Sequence, residues 1–246
     1  MANSQVKRVP MIALSSYKNG WSRQVAHSLA IHANAAYNGG IGTLIEDKDT
    51  DTQCYLKDYG NHAVLAFRGT EPTHLNDVLS DLDMRKVVWH SGTSLVHSGF
   101  AKAFESVRPR IEELLSGLSS VDNLFITGHS LGGALATLAA DSLNCKLVTT
   151  FGSPRVGDRT FARQFELKLA GKYFRVFNRS DVVARVPTFV RFKHVGTPVF
   201  IDHRGLVWIR PSWYTRLVTF WRNVVTGAKV SLVRDHAMTQ YLASLE

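Results

Sequence analysis

Apolar positions recur along this chain with two periods, and the changes between them outline its elements. Residues 22–37, "SRQVAHSLAIHANAAY", carry apolar residues at helical spacing and stop before Asn38-Gly39-Gly40, which predicts an Ala-rich helix. The runs "TQCYLKD" (52–58) and "HAVLAFR" (62–68) flank Tyr59-Gly60-Asn61 and predict a hairpin. Between 99 and 117, Phe100, Phe104, Val107, Ile111, Leu114 and Leu115 share one helical face, although Pro109 should kink that helix. Leu124-Phe125-Ile126 is a short apolar run suited to a buried strand. From Leu131 the chain turns small and apolar through Ala140, which suits a helix packed closely on a sheet.

The second half repeats the alternation. "CKLVTTFGSP" predicts a buried strand, 158–170 a helix capped by Asp158, and "KYFRVFN" a strand. "FVRFKHVG" and "TPVFID" predict two more strands, and 235–246 a final helix. The fold class expected is α/β: a mainly parallel central sheet with helices on both faces and an antiparallel start at the early hairpin. The 246 residues fit one domain spanning 1–246.

Between the strand at 124–126 and the Ala-rich helix lies Gly128-His129-Ser130-Leu131-Gly132, a G-x-S-x-G pattern. A strand-to-helix corner this sharp requires residues without a Cβ two places either side of the serine, and it presents the hydroxyl at a helix N-terminus. Such termini favour negative charge, so Ser130 is placed to attack a carbonyl and leave an oxyanion beside backbone N–H groups. As a simple N-cap, Ser130 would need no chemistry at all.

A serine nucleophile needs a general base, and the base needs an orienting carboxylate. Asp181 follows the strand "YFRVF" in the loop "NRSDVVARVP", although it also suits a plain turn; Asp202, after "TPVFI", is the rival acid. His194, His203 and His236 are the candidate bases. His194 reads as a strand residue and His203 as a turn residue, while His236 precedes the terminal helix. His129 adjoins Ser130 too closely to fold back onto it.

These segments carry a family resemblance. "VLAFRGT" (64–70), "HSGF" (97–100), "ITGHSLGGALATLAA" (126–140), "TFGSPRVGD" (150–158), "RVFNRSDVVARVP" (175–187), "FKHVGTPVF" (192–200) and "DHAMTQYL" (235–242) occur in the order found in class 3, fungal-type triacylglycerol lipases of the α/β-hydrolase fold. The chain resembles that family over most of residues 22–245. The resemblance implies a serine-dependent hydrolase of lipid esters, foremost a triacylglycerol lipase, with Ser130 as nucleophile, Asp181 as acid and His236 as base. It implies an oxyanion hole from the backbone N–H groups of Thr70 and Leu131. It places His97 near the site as a structural neighbour and calls for no metal or cofactor. It also implies a lid at 71–92, where Leu75, Val78, Leu79 and Leu82 recur at helical spacing. A phospholipase, a short-chain esterase, or a silent membrane-binding module on the same fold are the alternatives.

Charge and composition add little to this. The formal net charge of +9 favours anionic partners, but no nucleic-acid motif accompanies it. Within 208–229, Trp213, Leu217, Phe220, Trp221 and Val224 can share a helical face with Arg210, Arg216, Arg222 and Lys229 largely off it. That pattern suits either an interfacial helix on an anionic membrane or a core helix with snorkelling arginines. The expected partner is a lipid ester at an oil–water or membrane interface, with the oligomeric state open. Cys54 and Cys145 read as free buried thiols, and the opening "MANSQVKRVPMIALSS" has too brief an apolar run for a signal peptide. Together these lead to a cytoplasmic placement by default.

Overall fold

The chain alternates strands and helices, as the periodicity predicts. The computed structural model describes Ile12 and residues 20–71, 85–90, 92–119, 121–178, 181, 183–186, 191–202, 204–212 and 236–246. Its strands are β1 (Thr43–Asp47), β2 (Thr52–Asp58), β3 (Ala63–Phe67), β4 (Lys86–Val88), β5 (Leu95–His97), β6 (Leu124–His129), β7 (Leu147–Phe151), β8 (Tyr173–Asn178), β9 (Thr197–Ile201) and β10 (Val207–Ile209). Its α-helices are α1 (Arg23–Ala35), α2 (Ser98–Ser116), α3 (Leu131–Ser142), α4 (Arg159–Leu169) and α5 (Met238–Leu245).

Eight strands form one sheet in the order β1-β2-β3-β6-β7-β8-β9-β10, and β4 pairs with β5 in a small second sheet. β3, β6, β7, β8 and β9 run parallel, whereas β1, β2 and β10 are antiparallel to their neighbours. The parallel strands are buried on both sides, so successive residues feed opposite cores. Leu124 and Ile126 pack with Phe104, Ala134, Leu138 and Phe161 from α2, α3 and α4. Phe125, between them, packs with Leu29, Ala33 and Tyr241 from α1 and α5. The α/β-hydrolase architecture follows, with helices on both faces of a mostly parallel sheet.

Local chemistry sets the ends of the helices. Ser22 caps α1 by accepting from Val25 N, and Asp158 caps α4 by accepting from Phe161 N at 2.9 Å. His97 caps α2, its Nδ1 accepting from Gly99 N and Phe100 N. α2 runs through Pro109 without a break, because Phe100, Phe104, Val107, Ile111 and Leu115 anchor both halves to one core. One expected strand is absent: of "FVRFKHVG", the described residues 191–196 make only an isolated bridge, Lys193 to Gly157. There the side chain of His194 bonds the Ala184 carbonyl instead, tying this segment to the loop that follows β8.

Candidate active site

The corner at Ser130 has the geometry its glycines predict. Ser130 sits at φ 57°, ψ −130°, a conformation that a non-glycine residue adopts only when its surroundings force it. A Cβ at Gly128 would fall 2.3 Å from the Gly132 carbonyl oxygen, and one at Gly132 would fall 2.4 Å from that of Phe67. The start of α3 therefore presses against both its own strand and the end of β3. Ser130 N donates to Phe151 O at 2.9 Å, which fixes the corner to β7. The serine makes no side-chain capping bond, so the simple N-cap role is not the one it plays. Its Oγ is buried and has no hydrogen-bond partner among the described residues.

Asp181 and His236 meet across 55 residues of sequence. His236 Nδ1 lies 3.0 Å from both carboxylate oxygens of Asp181. Both side chains are buried. Asp181 Oδ1 also accepts from Val183 N at 2.9 Å, so the turn role and the partner role coexist. Because Nδ1 faces a carboxylate, the opposite nitrogen, Nε2, is left to act, and it too lacks a partner among the described residues. Gly152 closes the space beneath the pair. At φ +56°, a Cβ there would lie 2.6 Å from Asp181 Oδ2 and 2.9 Å from His236 Nδ1.

Two residues to which the sequence assigned no role complete the surroundings. Tyr241, on α5, donates its hydroxyl to Asp181 Oδ2 at 2.5 Å and accepts from Asn178 N. Burial, followed by the Asp181 charge, holds the Tyr241 pKa well above the ordinary value, so it remains a donor. His129 stacks against His236 with ring centroids 4.4 Å apart, and its Nε2 lies 2.7 Å from the His236 carbonyl oxygen. The signal for Tyr241 was its place five residues after His236, one helical turn into α5. For His129 there was none beyond adjacency to Ser130.

Thr70 and Leu131 flank the serine. A Cβ on Gly69 would lie 3.2 Å from Ser130 Cβ, which brings the residue before Thr70 against Ser130, and Leu131 is the first residue of α3. The loop bearing Thr70 is braced by Arg68, which bonds Glu71 at 2.6 Å and Gln53 at 3.1 Å. The rival acid is elsewhere engaged: Asp202 accepts from Arg204 N, Leu206 N and Trp208 Nε1 in the β9–β10 turn. His203 and the helical pattern at 213–229 lie outside the described residues. So do 72–84 of the lid segment; its far end is β4, followed by Trp89, a core residue whose Nε1 donates to Asp141. Among the described residues, no group of three or more His, Cys, Asp or Glu could hold a metal ion, and no helix is long and apolar enough to cross a membrane.

Comparison with known proteins places the fold in a family. A family model described as lipase (class 3) matches residues 64–191. A secreted mono- and diacylglycerol lipase from Fusarium solani is 38% identical over 116 residues, covering 44% of this chain and 34% of that protein. The chloroplastic phospholipase A(1) DAD1 of Arabidopsis thaliana is 35% identical over 220 residues, 78% of this chain and 47% of that one. The chain thus spans between a third and a half of these relatives' length. Among solved structures, lipase II from Rhizopus niveus superposes with a TM-score of 0.67 at 24% identity, covering 88% of this chain and 94% of that one. The default cytoplasmic placement is corrected here, since the Fusarium relative is named as secreted. Its basis in the two thiols was weak for a physical reason. Cys54 and Cys145 are buried, and burial raises both pKa values, that of Cys145 to about 11, which leaves them unreactive in any compartment.

Proposed function

This chain belongs to the class 3 lipase family, and on that premise we propose that it is a serine hydrolase of lipid esters. The observation that carries the reading is the buried His236–Asp181 pair together with a strained Ser130 at the strand–helix corner, Ser130 Oγ and His236 Nε2 each being without a hydrogen-bond partner among the described residues.

In this reading, Ser130 Oγ attacks the ester carbonyl carbon while His236 Nε2 takes its proton. Asp181 holds the ring by Nδ1 and stabilises the imidazolium that forms. The backbone N–H groups of Thr70 and Leu131 receive the oxyanion, and losing one such donor typically costs ~10²–10³ in turnover. His236 then protonates the leaving alcohol. Water, activated by the same nitrogen, releases the fatty acid and restores the serine. The whole of 1–246 acts as one domain, with 71–92 as its lid segment.

Acylglycerols are the first substrate class, in keeping with the name of the Fusarium relative. A phospholipase A1 activity is the second reading, favoured by the length of the match to the Arabidopsis enzyme and by the net charge of +9, which attracts anionic head groups. Peripheral contact with anionic membranes belongs to the same proposal. A fluorophosphonate probe should label the wild-type protein at Ser130 and leave Ser130→Ala unlabelled. Hydrolysis of mono-, di- and triacylglycerols beside a diacyl phospholipid then ranks the substrates. No labelling would reject the serine-hydrolase reading, and phospholipid turnover above acylglycerol turnover would favour the second.

A further inference from the structure

His129 has a role that the hydrolytic scheme above does not use. It is the last residue of β6, immediately before the nucleophile, and it is buried. Its Nε2 lies 2.7 Å from the backbone carbonyl oxygen of His236. A carbonyl only accepts, so Nε2 carries the proton and Nδ1 of the neutral ring is an acceptor. Tyr37 Oη lies 2.8 Å from that Nδ1 and therefore donates to it. Tyr37 itself is wedged beside the oxyanion loop, since a Cβ on Gly69 would lie 2.3 Å from its hydroxyl. Three distant stretches of chain, at 37, 129 and 236, are thus joined by two directed hydrogen bonds.

We propose that His129 is a positioning residue: with Tyr37 fixing its tautomer, it holds the backbone and ring of His236 in line with Ser130. His236 lies two residues before α5, which starts at Met238 and has no side-chain cap. The bond from His129 therefore supplies a fixed point that the helix end does not. The ring contact, 4.4 Å between centroids at 31°, restricts one face of the His236 imidazole. The arrangement works only while His129 is uncharged, because a second cation would oppose the imidazolium formed in each cycle. Burial, followed by the neighbouring His236, keeps the His129 pKa well below the ordinary value.

The inference rests on the serine-hydrolase reading, and its test separates the two. The variants are His129→Gln, whose amide N–H reaches about as far as Nε2; His129→Leu, which has no donor; and Tyr37→Phe. A loss of alignment near 1 Å costs ~10²-fold in rate. On a soluble p-nitrophenyl ester, His129→Leu should lose on the order of 10²-fold in kcat with KM little changed. His129→Gln should recover most of that loss, and Tyr37→Phe should fall between them. Leu and Gln variants with equal kcat losses and wild-type melting temperatures would overturn the role, as would a Leu variant within about twofold of wild type. If the Leu variant does not fold, Tyr37→Phe decides, and full kcat in a folded Tyr37→Phe protein overturns the proposal. Failure of the wild-type protein to label with fluorophosphonate would instead remove the reading beneath it, and the inference with it.

Discussion

A single methyl group at residue 152 should disable the site with a modest cost in stability. Gly152 follows β7 at φ +56°, and a Cβ there would stand 2.6 Å from Asp181 Oδ2 and 2.9 Å from His236 Nδ1. Ordinary contacts of this kind lie near 3.5 Å, so the pair must give way by roughly 0.5–1 Å. Displacement on that scale costs ~10²-fold in rate. The left-handed backbone costs a non-glycine residue about 1–2 kcal/mol, or roughly 2–8 °C in melting temperature for a domain of this size. Gly171→Ala is the matched control: its φ is +75°, and a Cβ there meets nothing within 4 Å. Gly171→Ala should melt early and hydrolyse a soluble ester at the wild-type rate, while Gly152→Ala should both melt early and lose about two orders of magnitude in kcat. Equal rates in the two variants would refute a catalytic role for the Asp181–His236 pair that residue 152 packs against.

Three further outcomes follow from named contacts. Stability should fall with acid through His32, whose pKa is held at about 4 by burial first and then by His62 and Lys57. Above pH 6.5 neither state binds its proton; as pH drops from 6.5 towards 4 the unfolded state takes it up first, so stability declines by roughly 2–3 kcal/mol between pH 7.5 and 4.5. Urea titrations of wild type and His32→Gln at those two pH values check this, the variant showing the shallower fall. Asp158→Ala removes the cap of α4 and should cost about 1 kcal/mol, some 2–4 °C by thermal melt, with hydrolysis unchanged. Tyr241→Phe removes a bond to the Asp181 carboxylate worth about 1.5–3 kcal/mol, which denaturant titration should register alongside a loss in kcat greater than any change in KM.

Much of the architecture was legible because the chain's periods are clean. The Ala-rich stretch after Ser130 and the face built on Phe100, Phe104 and Ile111 each specify one partner surface, and α3 and α2 form where they predict. β1 escaped because its residues Thr43–Asp47 are half exposed at the sheet edge, with only Ile45 buried, so no apolar alternation marks them. "FVRFKHVG" misled in the opposite sense: its described apolar residues Phe192 and Val195 are buried by packing, not by sheet pairing, with Phe192 against His97. Asp181 and Asp202 look alike as turn aspartates. The family resemblance favours Asp181, and the three-dimensional placement shows the difference directly: Asp181 faces His236 and Asp202 folds onto its own turn. Tyr241 and His129 were hidden because side-chain hydrogen bonds across 60 and 107 residues leave no local pattern.

The central claim is that Ser130 and His236 act as one unit on an ester, and comparing Ser130→Ala, His236→Ala and the double variant tests it most directly. Residues that act together lose nearly everything when either is removed. On a soluble p-nitrophenyl ester, each single variant should fall by several orders of magnitude in kcat, on the order of 10⁴-fold or more, and the double variant should be little worse than either. Two modest losses that multiply in the double variant, or a folded Ser130→Ala protein that still hydrolyses the ester, would contradict the account.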